Sequence, residues 1–303
     1  MVLAVVLVLA QAGPGAWPSG RPRECGDRAD RGGNVWERAK SPELRRYCDL
    51  VASASSKLAG ITATAQTALD AANEADRVLP GHAAPRILEG RALAALGRYG
   101  EALTALSDGQ SRDPRALADP PALLAWARAL ARTGRTKEAG DAYRALLPRA
   151  SALSSADRVR SEIEAALVAM ARGAGGLDEA AAALREAVRE GQDEAQAVAV
   201  LALALALDRR GDPDEALALL SERARGDPRD TMATPRAKDL LAVAPAEAHA
   251  LSALALESTD RTGARDEWQR ALDDDPSGVW AGQARAHLAS LASRQTGTGA
   301  GRR

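Results

Sequence analysis

The sequence predicts an all-α protein, a right-handed solenoid of about six helix–turn–helix repeats closed by a C-terminal helix. Three observations predict it. The hexamer G-x-x-x-E-A occurs four times, at Gly97–Ala102, Gly134–Ala139, Gly175–Ala180 and Gly211–Ala216. Successive copies lie 37, 41 and 36 residues apart, and a unit recurring at such a period buries its apolar face only against its neighbours. The chain is 46% hydrophobic but only 3% aromatic, with no Phe. Its core must therefore be Ala, Leu and Val, of which Ala and Leu are strong helix formers.

Each hexamer reads as a turn between two helices. Pro121 to Arg132 places Leu123, Leu124, Ala127 and Leu130 at helical spacing, with Pro at the start. Gly134 tolerates the left-handed backbone that ends a helix. Thr136-Lys137-Glu138-Ala139 then opens the second helix, its acid in the first turn where the macrodipole favours it. Ala139, Ala142, Tyr143 and Leu146 form that helix's apolar face, and Pro148 closes it. The other copies read alike, with first helices over 87–96, 163–170 and 198–207 and second helices over 102–106, 180–188 and 216–220. Gly97, Gly175 and Gly211 make their turns.

These residues resemble the tetratricopeptide repeat, a helix–turn–helix unit of about 34 residues. In the resemblance, the small residue midway along the first helix is Gly90, Ala127, Val168 or Ala204. The alanine of the second helix is Ala102, Ala139, Ala180 or Ala216. Val168 is larger than the pattern prefers, and the closing Pro is present as Pro114 and Pro228 but replaced by Ser151 and Gln192. Weaker units flank these four. Units are expected at about 49–82, 83–116, 120–150, 161–191, 197–229 and 245–277, within a repeat domain spanning 44–293, with a cap over 279–293. The cap would place Trp280, Ala284, His287, Leu288 and Leu291 on one face. An insertion over 229–244 separates the last two units, with a short helix expected from Thr234-Pro235. Residues 294–303 read as a disordered tail.

At the start, Val2 to Ala10 is apolar and Ala10-Gln11-Ala12 follows, the pattern of a leader cleaved after Ala12, although no Lys or Arg precedes the run. Residues 13–43 form a Gly/Pro/Arg-rich leading segment. The nine-residue apolar run is too short to span a bilayer. Export permits a Cys25–Cys48 disulfide, which is the expectation; the alternative is two free thiols with Cys48 a small buried hydrophobe.

The function classes narrow by what is missing. Forty basic and 41 acidic residues are interspersed, without the basic stripe of a nucleic-acid binder. His82, His249 and His287 stand apart in sequence, with His82 in a connecting loop. Gly173-Ala174-Gly175-Gly176 reads as an inter-helix turn, since no strand precedes it to make a phosphate loop. Asp273-Asp274-Asp275 reads as a solvated helix end. No catalytic constellation, metal site or cofactor motif emerges.

A surface remains. The resemblance implies that first helices line a concave groove. Carried over, the groove residues are Arg91, Leu124, Arg128, Arg132, Arg172, Leu201, Leu205 and Arg209, with Ile87 and Val198 beside them. Guanidinium groups beside apolar neighbours suit a partner's acidic or C-terminal segment; each arginine could instead pair with a neighbouring Asp or Glu. The Lys/Asn set of the carboxylate-clamp subfamily is not reproduced. The expectation is a non-enzymatic interaction scaffold or adaptor of a bacterial cell envelope, exported to the periplasm. The alternative is a regulatory or accessory subunit of an enzyme or transport complex.

Overall fold

The structure, a computed structural model, describes residues 22–25, 42–59, 64–224, 226–234, 237 and 245–297. These residues contain fourteen α-helices and no strand. The leader, most of the 13–43 segment and the tail beyond Gly297 lie outside the described residues. So does the helix expected from Thr234-Pro235, apart from Thr234 and Ala237. The chain divides into two compact units, Met1–Leu153 and Ser154–Arg303.

The first unit holds three helix pairs: α1 (Pro42–Leu58) with α2 (Ala65–Val78), α3 (Ala83–Ala95) with α4 (Tyr99–Arg112), and α5 (Pro120–Arg132) with α6 (Thr136–Leu146). The hexamer's parts have separable roles here. Gly97 and Gly134 both adopt φ 76°, where an L side chain is strained. Arg98 N donates to Leu93 O and Arg135 N to Leu130 O, both at 2.9 Å, closing a Schellman turn that satisfies the helix's last carbonyls. Glu101 and Glu138 stand in the first turn of the following helix and pair with those same two arginines. Ala102 and Ala139 are fully buried, which lets the second helix lie against the first. Contact is closest at Gly90, where an added Cβ would collide with Leu106 and sit 3.1 Å from Ala102 O.

A disulfide ties the segment before α1 to this unit. A 3₁₀ turn over Arg23–Cys25 packs on α1, and a disulfide joins Cys25 to Cys48 with Cα atoms 5.6 Å apart. Tyr47 Oη donates to Glu24 Oε1 at 2.6 Å, and His82 Nδ1 lies 3.3 Å from the same oxygen. Burial, with the neighbouring Glu24 carboxylate, pushes the Tyr47 hydroxyl's pKa well up. His82 lies in the connecting loop as the residue preceding α3, and its ring is held against the Tyr47 ring.

In the second unit the pairs are α7 (Ser155–Ala171) with α8 (Leu177–Glu190), α9 (Asp193–Arg210) with α10 (Pro213–Arg223), and α12 (Pro245–Leu256) with α13 (Arg261–Asp274). A short α11 (Pro228–Ala233) intervenes, opened by Asp227, whose side chain accepts from Arg229 N. The cap, α14 (Ala281–Gly297), packs on α13 and runs past the expected end of the array. Ala180 and Ala216 are buried like their counterparts, and Gly211 adopts φ 97° with Asp212 N bonded to Leu207 O. The third hexamer departs from the pattern. Gly173, at φ 99°, turns the chain, while Gly175 lies in a 3₁₀ turn over Ala174–Gly176. The sequence offered three glycines in four positions, and the first one reached after α7 is used. Ser154 caps α7, accepting from Asp157 N, so this helix begins well before the expected 163.

The two units also differ in charge. The first holds 21 basic and 16 acidic residues, the second 19 and 25. Near-neutrality of the whole chain conceals that asymmetry.

Candidate functional site

The eight expected groove residues fall into three groups. Arg91 on α3 and Arg128 and Arg132 on α5 are half-buried on successive first helices of the first unit, which pack against each other. The Arg132 guanidinium lies 5.2 Å from the centre of the Tyr99 ring, within cation–π range. Arg91 acts on Asp119, the residue preceding α5. Burial raises that carboxyl's pKa, against which the Arg91 charge pulls it down. Arg172 is exposed at the end of α7.

Leu124, Leu201 and Leu205 are a correction, because all three are buried core residues. The physical reason is clearest in α9, where every residue from Val198 to Asp208 is buried. The run V-A-V-L-A-L-A-L-A-L is apolar all round and shows no outward face. Ile87 and Val198 are buried in the same way.

Arg209 is the other correction. Its side chain is only 3% exposed and pairs with Glu247 Oε2 at 2.8 Å. The Trp280 ring covers it at 4.5 Å, and its Nε has no acceptor. It stands in the wall of a small pocket with Glu247, Trp268 and Trp280. Beside it lies a polar cluster that joins α7, α9, α12, α13 and α14. Trp280 Nε1 donates to Met170 O at 2.8 Å and Gln283 Nε2 to Asp208 Oδ2 at 2.6 Å. His287 bridges two carboxylates, Glu257 Oε1 at 2.7 Å and Asp208 Oδ2 at 3.1 Å, while its ring stacks on Trp268. Trp268 Nε1 also donates to Glu257. Burial alone would lower the His287 pKa, but the hydrogen bonds to Asp208 and Glu257 outweigh it and lift it to about 9. At neutral pH the ring is a cation donating from both nitrogens.

All three histidines therefore meet a carboxylate in space, His249 through Glu267 at 2.6 Å. No local motif could reveal these pairs, since the partners come from other helices. Glu162 on α7 is a further buried polar group. Its Oε2 lacks a hydrogen-bond partner, and burial, with Glu190 and Glu186 adding to it, raises its pKa to about 7. Among the described residues no group of His, Cys, Asp and Glu could hold a metal ion. No described helix is long and apolar enough to cross a membrane.

No protein-family model matches the chain, and no curated protein does. Solved structures do. YrrB, described as a TPR protein with an unusual peptide-binding site, shares 18% identity over 72% of this chain and 99% of its own, with a TM-score of 0.42. TTC0263, a TPR protein of Thermus thermophilus, shares 24% over 68% and 97%, with a TM-score of 0.38. The TPR domain of P58(IPK) shares 14% over 88% and 69%, also at 0.38. Its own glycine turns and alanine helix contacts make the chain an all-α array of helix–turn–helix repeats.

Proposed function

We propose that this chain is a non-catalytic scaffold or adaptor of the bacterial cell envelope that holds an acidic or C-terminal segment of a partner protein. The carrying observation is the placement of Arg91 and Arg128. They occupy equivalent repeat positions on adjacent first helices, with Arg132 one turn beyond on α5. Guanidinium groups repeated along one face can meet successive carboxylates with forked hydrogen bonds. The basic excess of this unit favours the same kind of partner. The Cys25–Cys48 bond supports an oxidising compartment, hence export.

The test uses a short fluorescent peptide rich in glutamate and leucine, beside its glutamine counterpart. The glutamate peptide should bind the full chain, and Arg128→Glu with Arg132→Glu should weaken it by about tenfold or more, a loss of about 1.4 kcal/mol. Equal binding of the glutamine peptide, or unchanged affinity in a folded variant, would refute the reading.

A further inference from the structure

The C-terminal helix makes more polar contacts than capping requires. Its buried apolar stripe is Ala281, Ala284 and Leu291, with Leu288 partly covered. Two of its three buried positions are alanines, which contribute little apolar area, so polar side chains add to what Leu291, Leu288 and the Trp280 ring supply. Trp280, Gln283 and His287 stand at i, i+3 and i+7, the spacing of one helix face. All three present donors, and all three meet acceptors: Met170 O at the end of α7, and Asp208 near the end of α9, with Glu257 completing the set. The terminal carbonyls of α7 add the negative end of a helix dipole.

Trp280 also covers Arg209. That arginine stands two residues before a turn glycine, as Arg132 does before Gly134. In the first unit the equivalent guanidinium is half-buried over Tyr99; in the second it is covered by the chain's own C-terminal segment.

We propose that the face formed by the ends of α7 and α9 with Glu257 is a docking site for a partner's amphipathic helix presenting an aromatic donor, an amide and a cation at i, i+3 and i+7, and that α14 occupies it as an intramolecular stand-in. The proposal rests on the reading of the array as a partner-binding platform. The acidic excess of this unit suits a cationic segment. A partner with this pattern and a larger apolar stripe would compete with α14 by supplying the area its alanines lack.

The experiment uses the full-length chain and a full-length Trp280→Ala, His287→Gln variant, with a labelled peptide spanning residues 279–293. The variant, its own cap loosened, should bind the peptide about tenfold or more tightly than the intact chain does. Placing the same two substitutions in the peptide should abolish binding. In the intact chain, hydrogen exchange should show α14 opening while α9 stays protected. No uptake of the peptide by the variant overturns the proposal. So does exchange of α14 only together with α9, a result that does not depend on how the variant folds. The acidic-peptide test concerns Arg128 and Arg132 in the other unit, so either reading can fail without the other.

Discussion

The two units share one spine and close their ends by different chemistry. In the first, glycine turns at φ 76° and fully buried alanines set the helix pairs, and the open end is sealed by a disulfide with Tyr47, Glu24 and His82 around it. In the second, the same turn and contact residues recur, but the end is sealed by α14 through Trp280, Gln283 and His287. A terminal repeat lacks the neighbour that would cover its apolar face. Cys25 joins the buried cluster of α1, α2 and α3, whereas α14 packs on α13 and is held by polar side chains to α7 and α9. Arg91, Arg128 and Arg132 are half-buried on the first helices of the first unit, whereas Trp280, the residue before α14, covers Arg209 in the second.

The largest expected effect would break the second unit alone. Glu247→Ala leaves Arg209 buried without its carboxylate, and removal of one member of such a pair costs about 3–5 kcal/mol. Replacing both, as Arg209→Met with Glu247→Leu, should recover most of that loss in chemical denaturation. A single substitution that costs nothing would show that the pair is not holding α9 to α12.

Reduction should break the first unit alone. The bond spans 23 residues, and cutting a loop of that size removes about 3 kcal/mol in the chain-entropy account. Both cysteines belong to the first unit, so reductant, or Cys25→Ser with Cys48→Ser, should lower protection in α1 and α2 while α9 keeps its exchange rate. Equal loss in both units would contradict the separate sealing.

Acidity should sharpen the difference. The Glu162 pKa is raised from 4.5 to about 7 in the fold, so the folded state holds the proton more tightly than the unfolded chain. The second unit therefore loses stability as pH rises from about 4.5 to 7. Glu162→Gln should stabilise it at pH 8 by about 1–3 kcal/mol and have little effect near pH 4. His287 acts in another window. Its pKa is raised from 6.5 to about 9, so its contribution is full below 6.5 and is lost as pH rises through 9. His287→Gln should flatten the alkaline limb of the stability profile and leave the acid limb alone.

The smallest effects test the turns. Gly173→Ala and Gly134→Ala place a side chain at positive φ and should each cost about 1–2 kcal/mol. Gly175→Ala should fall within about 0.5 kcal/mol of wild type, since its backbone is ordinary and nothing lies within 4 Å of the new carbon. Thermal melts that reversed this order would return the turn to Gly175.

The spine was legible because its residues are small, repeated and locally sufficient. Gly134, Glu138 and Ala139 each act within one turn, so their spacing carries the geometry. The third turn differs because Gly173 and Gly175 are both available, and the chain turns at Gly173, the first glycine after α7. The resemblance places Leu124, Leu201 and Leu205 in a groove by repeat position alone, and an Ala/Leu-rich helix such as α9, apolar on every face, carries no signal against it. The cluster around Arg209 was hidden for another reason. His287 meets Asp208 across 79 residues and Trp280 meets Met170 across 110, and none of these residues carries a local pattern that announces its partner.

On the proposed function, partners meet the varied residues of the first helices, while the repeated residues build the support behind them. Photo-cross-linking of the glutamate-rich peptide to the full chain, mapped by mass spectrometry, tests it most directly. Adducts are expected on α3 and α5, around Arg91, Arg128 and Arg132. Adducts confined to α4 and α6, the second helices of those repeats, would contradict it.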